Sequence, residues 1–538
     1  MEYDVLIVGG GIAGLTSAAY LSKAGYKVLL CEKENKLGGL VNSFDFKGFK
    51  FDGGIRAIEN SGIVFPMLKQ LGIEVDFIRN NISIGIENDA INLVSKDSLL
   101  DYKNLLNRQF PSDVDDIEKI INEIKRVMQY MDILYGIDNP LFLDLKSDKE
   151  YLFKTILPWL FKFTMTIKKI VKLNTPIYEY LQKFTKNMTL IDMIAQHFFK
   201  KTPAFFALSY FSLYLDYNYP KGGTGKIVDK IGKFILDNKG EIKKEAEICS
   251  IDPQAKLAKD LKGNKFNYKK LIWAADLKSL YNIIDFNSLK NEKIKQKALT
   301  RKRDLSDKTG GDSVLTLYLT IDMDKKYFEN ISNGHFFYTP LKKGLSNINL
   351  GDLENKSPDK YNNRYTMDKK AIIKWIRQYY ELTTYEISCP VIRDASLAPE
   401  GKTGLIISTL MEYSLVGHIS KMGWYDEFKM ISKDCILDLL EKTVFPGMKV
   451  KIMDYFISTP LTLEKLTGNS EGAITGWAFT NSFIPAVSTL QKVAGSILTP
   501  IPDIFQAGQW TFSPSGFPIS ILTGKLAADK VKKQLKLH

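Results

Sequence analysis

Residues 4–15 read Asp4-Val5-Leu6-Ile7-Val8-Gly9-Gly10-Gly11-Ile12-Ala13-Gly14-Leu15, and this stretch decides the fold. The apolar run Val5 to Val8 predicts a buried parallel strand. Gly9, Gly11 and Gly14 then complete a G-x-G-x-x-G turn that permits a tight bend, lets backbone approach a pyrophosphate, and lets helix and strand pack closely. Phosphates would lie at the N-terminus of the following helix, where free N–H groups and the positive end of the helix dipole favour anions.

A second predicted strand, Lys27 to Cys31, ends at Glu32. This carboxylate follows the glycine turn at the spacing at which an acid accepts hydrogen bonds from ribose hydroxyls. Because it disfavours a 2′-phosphate, we expect no NADP. Strand, turn, helix and acid together predict an α/β domain that binds a dinucleotide, either NAD or FAD.

Two downstream segments distinguish these cofactors. Leu37-Gly38-Gly39 follows Glu32-Lys33-Glu34, and Gly48-Phe49-Lys50-Phe51-Asp52-Gly53-Gly54 comes next. With these segments the chain resembles the FAD-dependent family of phytoene desaturases, carotenoid isomerases and retinol saturases, within the amine-oxidase-like flavoproteins. In that family the second Gly-Gly turn contacts the pyrophosphate, and a G-x-x-F-D-x-G segment leads to the flavin ring. The resemblance implies an FAD cofactor.

The resemblance extends over essentially the whole chain. Tyr219 to Lys226 matches the family's Y-P-x-G-G turn, Lys269 to Asp276 its V-I-x-A-A-D segment, and Pro390 to Lys402 its D-P-S-x-A-P-x-G turn, with Ala395 replacing the usual proline. It implies an α/β fold in which a Rossmann-type, glutathione-reductase-like FAD-binding domain is interleaved with a mixed-sheet substrate domain and a helical insert. We expect FAD-binding pieces at 1–84, 218–290 and 496–538, a mainly helical cap at 85–217 and a substrate domain at 291–495.

The C-terminal part of the sequence predicts the last strand and helix that contribute to the cofactor site. Ile504 to Trp510 is typical of a strand and turn, and Pro514 to Ser520 leads into a helix over Ile521 to Lys532. The N-terminus of such a helix stabilises negative charge at N1 and O2 of a reduced flavin. Many family members have Gly-Asp where this chain has Gly508-Gln509, so hydrogen bonding is kept and the charge is lost.

The motifs and the resemblance together give a set of expected cofactor-binding residues. They are Gly9, Gly11, Ile12, Ala13, Gly14, Glu32, Lys33, Gly38, Gly39, Leu40, Gly54, Ile55, Ile248, Gly508, Gln509, Phe517, Pro518 and Ile519.

Arg56 and Glu59 are the candidate catalytic residues. Arg56 stands where relatives of the retinol saturase type often have histidine. A cation near the ring would stabilise a reduced anionic flavin or a polarised double bond, and a structural ion pair is the alternative. Asp52 is expected to fasten the flavin-side loop. The histidines have no metal-ligand or triad spacing, so we expect no metal site, although His335 is a candidate substrate-side donor; the four are His197, His335, His418 and His538.

Composition limits the partners and the compartment. The chain has 538 residues, of which 45% are hydrophobic and 25% charged, and its net charge of +13 comes mostly from dispersed lysine. It has no Arg-rich helix or aromatic RNA-binding motif, so we expect no nucleic-acid partner. The four cysteines lack C-x-x-C spacing and no leader-like segment precedes the first strand, which favours a reduced, cytoplasmic protein.

The region Tyr151 to Leu173 places apolar residues at helical spacing, with lysines mostly elsewhere. No stretch reaches the ~18 apolar residues of a spanning helix. This helix would either lie in the headgroup plane of a membrane or pack its apolar face onto the substrate domain, and the pattern allows both. We expect peripheral membrane contact.

The resemblance, together with 12% aromatic residues, implies a function on lipids. The chain is expected to be an FAD-dependent oxidoreductase, a desaturase or saturase, that acts on carbon–carbon double bonds of a long hydrophobic isoprenoid or polyene by hydride transfer at flavin N5. A non-redox cis–trans isomerase is the alternative, since the family contains both. Two further alternatives are a flavin-free binding protein for prenylated partners, similar to the Rab escort proteins, and an amine oxidase.

Overall fold

The computed structural model describes residues 2–143, 149–355 and 364–535. Its strands are β1 (Glu2–Val8), β2 (Val28–Cys31), β3 (Ser43–Phe46), β4 (Phe49–Asp52), β5 (Ile58–Glu59), β6 (Phe77–Arg79), β7 (Ile82–Ile86), β8 (Asp89–Leu93), β9 (Tyr217–Pro220), β10 (Glu241–Lys243), β11 (Ile248–Asp252), β12 (Leu257–Asp260), β13 (Lys265–Trp273), β14 (Ser313–Ile321), β15 (His335–Thr339), β16 (Tyr385–Ser388), β17 (Thr403–Met411), β18 (Ile452–Ser458) and β19 (Ile504–Gln506).

The chain also forms nineteen α-helices in its described residues. They are α1 (Ile12–Lys23), α2 (Val64–Leu71), α3 (Ser98–Gln109), α4 (Val114–Tyr135), α5 (Lys149–Tyr151), α6 (Leu157–Ile170), α7 (Ile177–Leu181), α8 (Met188–Ala195), α9 (Ala204–Leu215), α10 (Gly225–Asp237), α11 (Leu277–Ile283), α12 (Glu292–Ser306), α13 (Lys325–Glu329), α14 (Lys369–Leu382), α15 (Pro390–Arg393), α16 (Tyr413–Lys421), α17 (Tyr425–Lys442), α18 (Pro460–Thr467) and α19 (Phe517–Leu535). A π-helical segment, Leu152–Ile156, joins α5 to α6. Among the described residues no helix has both the length and the apolar character needed to span a bilayer.

The first sheet is assembled from three distant parts of the chain. Its order is β10-β2-β1-β13-β12-β11, and β19 also pairs with β13. The strands β10, β2, β1, β13 and β19 run parallel. On one face Val5 and Ile7 pack with α1, α10 and α19, and on the other Leu6 and Val8 join a second buried cluster. The unbroken apolar run of β1 follows from burial on both faces.

The second sheet is mostly antiparallel, in the order β18-β14-β17-β16-β15-β7-β8. Leu315, Leu317 and Leu319 of β14 pack into a core with α14, α16 and α17. Successive side chains of a strand point to opposite faces, so Thr316 and Tyr318 lie on the other face, where both line a cavity. This sheet therefore has one structural face and one face available to a ligand.

The strands of the first sheet lie in three separate ranges of the chain, 2–31, 241–273 and 504–506. Residue 84, the expected end of the first piece, lies within β7, which pairs with β15 of the second sheet. The chain has therefore already entered the second sheet at Ile82. Alternation of Ile82, Ile84 and Ile86 identifies a strand, whereas it carries no information about the partner strand.

The helices between β8 and β9 form a separate buried cluster. Residues from α3, α4 and α6 to α9 pack together there, including Leu105, Ile120, Ile167, Leu190 and Phe211. This helical insert, formed by residues 98–143 and 149–215, packs against β7 and β8 of the second sheet, and its residues line one end of the cavity.

Candidate functional site

One cavity of about 960 Å³ extends from the turn between β1 and α1 to the helical insert. All the expected site residues except Gly14 line it: Gly9, Gly11, Ile12, Ala13, Glu32, Lys33, Gly38, Gly39, Leu40, Gly54, Ile55, Arg56, Glu59, Ile248, Gly508, Gln509, Phe517, Pro518 and Ile519. The fold thus brings together three parts of the sequence at one end of the cavity.

The glycine turn has the geometry that its motif predicts. A Cβ on Gly14 would lie 2.0 Å from the Gly9 carbonyl oxygen, so only glycine allows this contact between helix and turn. A Cβ on Gly11 would meet nothing within 4 Å, because this position faces the cavity. The first turn of α1 has no side-chain cap and no acidic residue. Its free N–H groups therefore provide an anion site.

Glu32 follows the end of β2 and is buried beside this turn. Its carboxylate accepts the backbone N–H of Gly10 at 2.6 Å and that of Glu34 at 2.9 Å. Burial raises the pKa of the Glu32 carboxyl above its usual value, although both backbone donors act in the opposite direction. The second Gly-Gly turn is attached here too, since the Gly38 N–H donates to the Gly10 carbonyl at 2.8 Å.

The C-terminal part of the site begins one turn earlier than predicted. Helix α19 starts at Phe517 instead of Ile521, so Phe517, Pro518 and Ile519 belong to its first turn. The Gly508 N–H donates to Thr523 Oγ1 at 2.9 Å, which ties the turn after β19 to this helix. Pro518 marks the true start, because proline is well accommodated in the first turn of a helix.

These features fit a dinucleotide. The uncapped first turn of α1 supplies donors for a pyrophosphate, the open face of Gly11 leaves room for it, and Glu32 supplies acceptors for ribose hydroxyls. The volume of the cavity also leaves space beyond this end for a second molecule.

Arg56 belongs to a buried polar cluster on the ligand-facing side of the second sheet. Its Nη1 lies 3.1 Å from Glu386 Oε2, and its Nη2 donates to Ser408 Oγ at 2.5 Å. The ion pair that was the alternative interpretation of Arg56 is therefore present, and it forms inside the cavity. Sheet register places Ser408 of β17 between Thr316 of β14 and Glu386 of β16.

His335 lies on the other side of the Glu386 carboxylate. Its Nε2 is 3.0 Å from Glu386 Oε1, and its Nδ1 is 3.4 Å from Asn80 Nδ2. Arg393 Nη1 donates to Asn80 Oδ1 at 3.2 Å, which orients that amide so that its nitrogen faces the imidazole. Burial lowers the pKa of His335. A neutral imidazole with its proton on Nε2 fits both neighbours.

Glu59 faces the same cavity from β5. Its neighbour Ile58 is fully buried in the core of the first sheet, so Glu59, the next residue of the strand, points the other way. Burial raises the pKa of Glu59 to about 7. Its Oε1 lies 3.8 Å from where a Cβ on Gly516 would stand, next to the first turn of α19.

The other end of the cavity is apolar and aromatic. It lies against α4, α6 and α9, and its lining includes Tyr135, Ile167, Ile170, Phe205, Phe206, Tyr210, Leu213, Tyr217 and Leu490. Such a lining suits a long apolar ligand.

The sequence did not identify Glu386, Ser408 or Asn80. The only signal of Glu386 and Ser408 is a polar residue within a largely apolar strand, and Asn80 lies between β6 and β7 with no signal of its own. Which of these residues meet depends on the packing of distant strands. Of the histidines, only His335 was singled out. His197 Nε2 contacts Tyr214 OH at 3.0 Å and His418 Nε2 the Thr366 carbonyl at 3.0 Å, whereas His538 lies outside the described residues.

Comparison with known proteins agrees with this site. A profile of the NAD(P)-binding Rossmann-like domain matches residues 7–71. The chloroplastic prolycopene isomerase of Daucus carota is 23% identical over 88% of this chain and 71% of its own length. The 4,4'-diapophytoene desaturase (4,4'-diaponeurosporene-forming) of Staphylococcus aureus is 22% identical over 99% of both chains.

Solved structures show the same fold. An oxidoreductase from Methanosarcina mazei has a TM-score of 0.62 and 14% identity, covering 98% of this chain and 99% of its own. Putrescine oxidase bound to putrescine has a TM-score of 0.57 and 13% identity over 99% of both chains. The predicted α/β class with a Rossmann-type domain is thereby confirmed. The chain is therefore an enzyme that is homologous to a prolycopene isomerase and to a 4,4'-diapophytoene desaturase.

Proposed function

We propose that the protein binds FAD and acts as a desaturase or saturase on carbon–carbon bonds of a long isoprenoid or polyene lipid. The observation that carries this proposal is the continuity of the cavity, which joins the dinucleotide end to an aromatic, apolar end. A bound FAD would supply a two-electron hydride acceptor or donor at its N5 atom.

The residues of this chain have separable tasks in such a reaction. The first turn of α1 and the Glu32 carboxylate would hold the dinucleotide. The first turn of α19 would stabilise negative charge on the part of the cofactor next to it. The aromatic end of the cavity excludes water and aligns an apolar chain. A cluster of charged and polar side chains lines the wall of the same cavity. It consists of Arg56, Glu386 and His335.

A cis–trans isomerase is the second candidate, supported by the likeness to prolycopene isomerase. The experiment that separates the candidates incubates the FAD-loaded protein, oxidised and then reduced, with a lipid extract of the host. Loss of two hydrogens identifies a desaturase, gain of two a saturase, and unchanged mass with altered chromatographic retention an isomerase. If no lipid changes and a polar amine is consumed, the protein is an amine oxidase. Protein that takes up no FAD would instead favour a lipid-binding role.

We also propose that the outer face of α6 and its π-helical extension rests on a membrane surface. This outer face comprises the exposed apolar residues Phe153, Leu157, Leu160, Phe161 and Met165 and the neighbouring lysines Lys154, Lys162, Lys168, Lys169 and Lys172. Exposed apolar residues edged by lysine suit the boundary between acyl chains and anionic headgroups. The inner face of the same helix lines the cavity through Ile167 and Ile170, which gives a lipid a short route from bilayer to site.

A further inference from the structure

Two glutamates line the cavity in opposite electrostatic surroundings. Glu59 forms no ion pair with any residue in 2–143, 149–355 or 364–535. The groups that face it are the Asp216 carboxylate and the rings of Tyr135, Tyr210 and Tyr217. Its strand pairs with β9, where Tyr217 stands directly opposite it. An acid in such surroundings is more stable protonated than ionised.

Glu386, in contrast to Glu59, lies next to a cationic side chain. The side chain of Arg56 is only 4% exposed and is committed to Glu386 and Ser408, while Glu386 itself keeps 34% of its side chain open to the cavity. His335 lies against its other oxygen, and Arg393 lies behind Asn80. The cluster therefore presents a fixed carboxylate to whatever occupies the cavity.

We propose that Glu59 is the proton-transfer residue of the reaction, and that the Glu386 carboxylate, positioned by Arg56 and His335, stabilises positive charge that develops on the lipid chain. This assignment rests on the proposed function. Tyr217 connects the two glutamates across the cavity wall, because it stands opposite Glu59 in the β5–β9 pair and its ring centroid lies 5.7 Å from that of His335, which contacts Glu386.

The atoms and electrons balance in the desaturation direction. One C–H bond of the lipid would break heterolytically, and its hydrogen would leave with the electron pair as hydride, for which a bound FAD would be the two-electron acceptor. Positive charge builds up on that carbon, facing Glu386. The neighbouring carbon then loses a proton to the Glu59 carboxylate, and the electrons of that second C–H bond form the new double bond. Saturation is the same sequence reversed, with protonated Glu59 as the acid.

The protonation states support this division of roles. Burial raises the pKa of Glu59 to about 7, so both its forms are present near neutral pH. Burial by itself would raise the pKa of Glu386 as well, but Arg56 and His335 outweigh it and lower that pKa to about 2. Neighbouring carboxyls whose environments separate their pKa values are typical of paired acid and charge-stabilising roles.

The test compares Glu59→Gln with the surface control Glu292→Gln and with Glu386→Gln. In desaturation, kcat/KM of the wild type should rise with pH through about 7, because the carboxylate form is required. Glu59→Gln should lower it at least about 100-fold and remove this inflection. Glu386→Gln should lower kcat and keep the inflection, and Glu292→Gln should change neither.

Unfolding provides a readout without turnover. Folded protein retains the Glu59 proton up to about pH 7, while the unfolded chain loses it near pH ~4.3. The stability contributed by this carboxyl is therefore complete below pH ~4.3 and is lost as pH rises toward 7. The melting temperature of Glu59→Gln relative to wild type should rise across this window, and that of Glu292→Gln should stay constant.

The outcomes separate the two proposals. If the wild type converts no lipid, the proposed function is wrong and the assignment of both glutamates falls with it. The proton-transfer role of Glu59 is wrong if the wild type converts lipid and the Glu59→Gln variant also converts it with an unchanged pH profile. This variant must have a normal FAD content for the comparison. If Glu386→Gln retains the wild-type kcat, the role of Glu386 is wrong.

Discussion

The Asp52 carboxylate connects two segments that are distant in sequence, the hairpin β3–β4 and residues 219–224. It accepts hydrogen bonds from Ser43 Oγ at 2.9 Å, from Tyr219 OH at 2.7 Å, and from the backbone N–H and hydroxyl of Thr224 at 2.8 and 2.9 Å. It is 1% exposed. The hydrogen bonds of this side chain tie the hairpin β3–β4, which leads from the dinucleotide end toward Arg56, to the segment that enters α10.

Asp52→Asn should therefore destabilise the protein. An amide keeps one acceptor oxygen but directs an NH₂ group toward donors, which leaves buried groups unpaired at a cost of about 1–3 kcal/mol. Urea unfolding should show this decrease in the free energy of unfolding. Asp45→Asn, an exposed position in the same hairpin, serves as control. Equal stabilities of the two variants would contradict the fastening role.

At the scale of single residues, sequence reasoning was most successful where chemistry is local. The turn from Gly9 to Gly14 and the acid at Glu32 could be assigned because the motif sets their spacing. Glu386 could not, because its partner His335 lies on the neighbouring strand β15 and its partner Arg56 lies in the loop between β4 and β5, far away in the sequence. A salt bridge across a sheet leaves no trace in a single sequence.

Helix α6 has both of the faces that its sequence pattern allowed, one packed against the protein and one exposed. Its inner residues Thr166 and Ile167 are buried against the helical insert. Phe161 is 73% exposed and Leu157 48% exposed on the other side. The helix is apolar on two faces, a distribution that a count of apolar residues at helical spacing does not resolve.

The double variant Leu157→Glu, Phe161→Glu should lose affinity for vesicles that contain phosphatidylserine. Each large apolar side chain withdrawn from water contributes about 1.5–3 kcal/mol when fully buried, so partial insertion of two predicts a loss of at least about tenfold. Vesicle cosedimentation measures it, and added salt should weaken wild-type binding.

Leu261→Glu is the matched control for this variant, because Leu261 is 67% exposed but lies far from α6, after β12. Equal losses in the control and the double variant would show that the effect is general surface charge. Unchanged binding of the double variant would place the membrane contact elsewhere.

Strands were predicted more accurately than their partners. The predicted strand Lys27 to Cys31 is observed as β2 (Val28–Cys31), and the predicted start of a strand at Ile504 agrees with β19. The crossing of β7 into the second sheet was missed, because period-two patterns report burial of a face and carry no information about which sheet buries it.

At the scale of the whole molecule, the first and last helices are in direct contact. A Cβ on Gly524 of α19 would lie 2.4 Å from the Ala13 carbonyl oxygen of α1. Ser17 Oγ also donates to the Gly524 carbonyl at 2.8 Å. This close approach fixes both helices whose first turns line the dinucleotide end of the cavity.

Gly524→Ala should destabilise the protein and reduce its FAD content, although alanine favours helices. Overpacking against backbone costs about 1–3 kcal/mol, which outweighs the gain of roughly 1 kcal/mol in helix propensity. Gly417→Ala, in α16, meets nothing within 4 Å and should be stabilising. Chemical unfolding and flavin absorbance check both variants, and a Gly524→Ala protein as stable as wild type would refute this packing argument.

The closure of the first sheet by β19 and α19 has a consequence for biosynthesis. The segment from β1 to α1 is synthesised well before α19, the helix that covers it, and at about 5–20 residues per second the interval is roughly half a minute to two minutes. During that time its apolar surface lacks its native cover, which is the condition under which chaperones bind nascent chains. The dinucleotide end is therefore completed only after β19 and α19 have been synthesised, and a chain truncated before residue 504 lacks both elements.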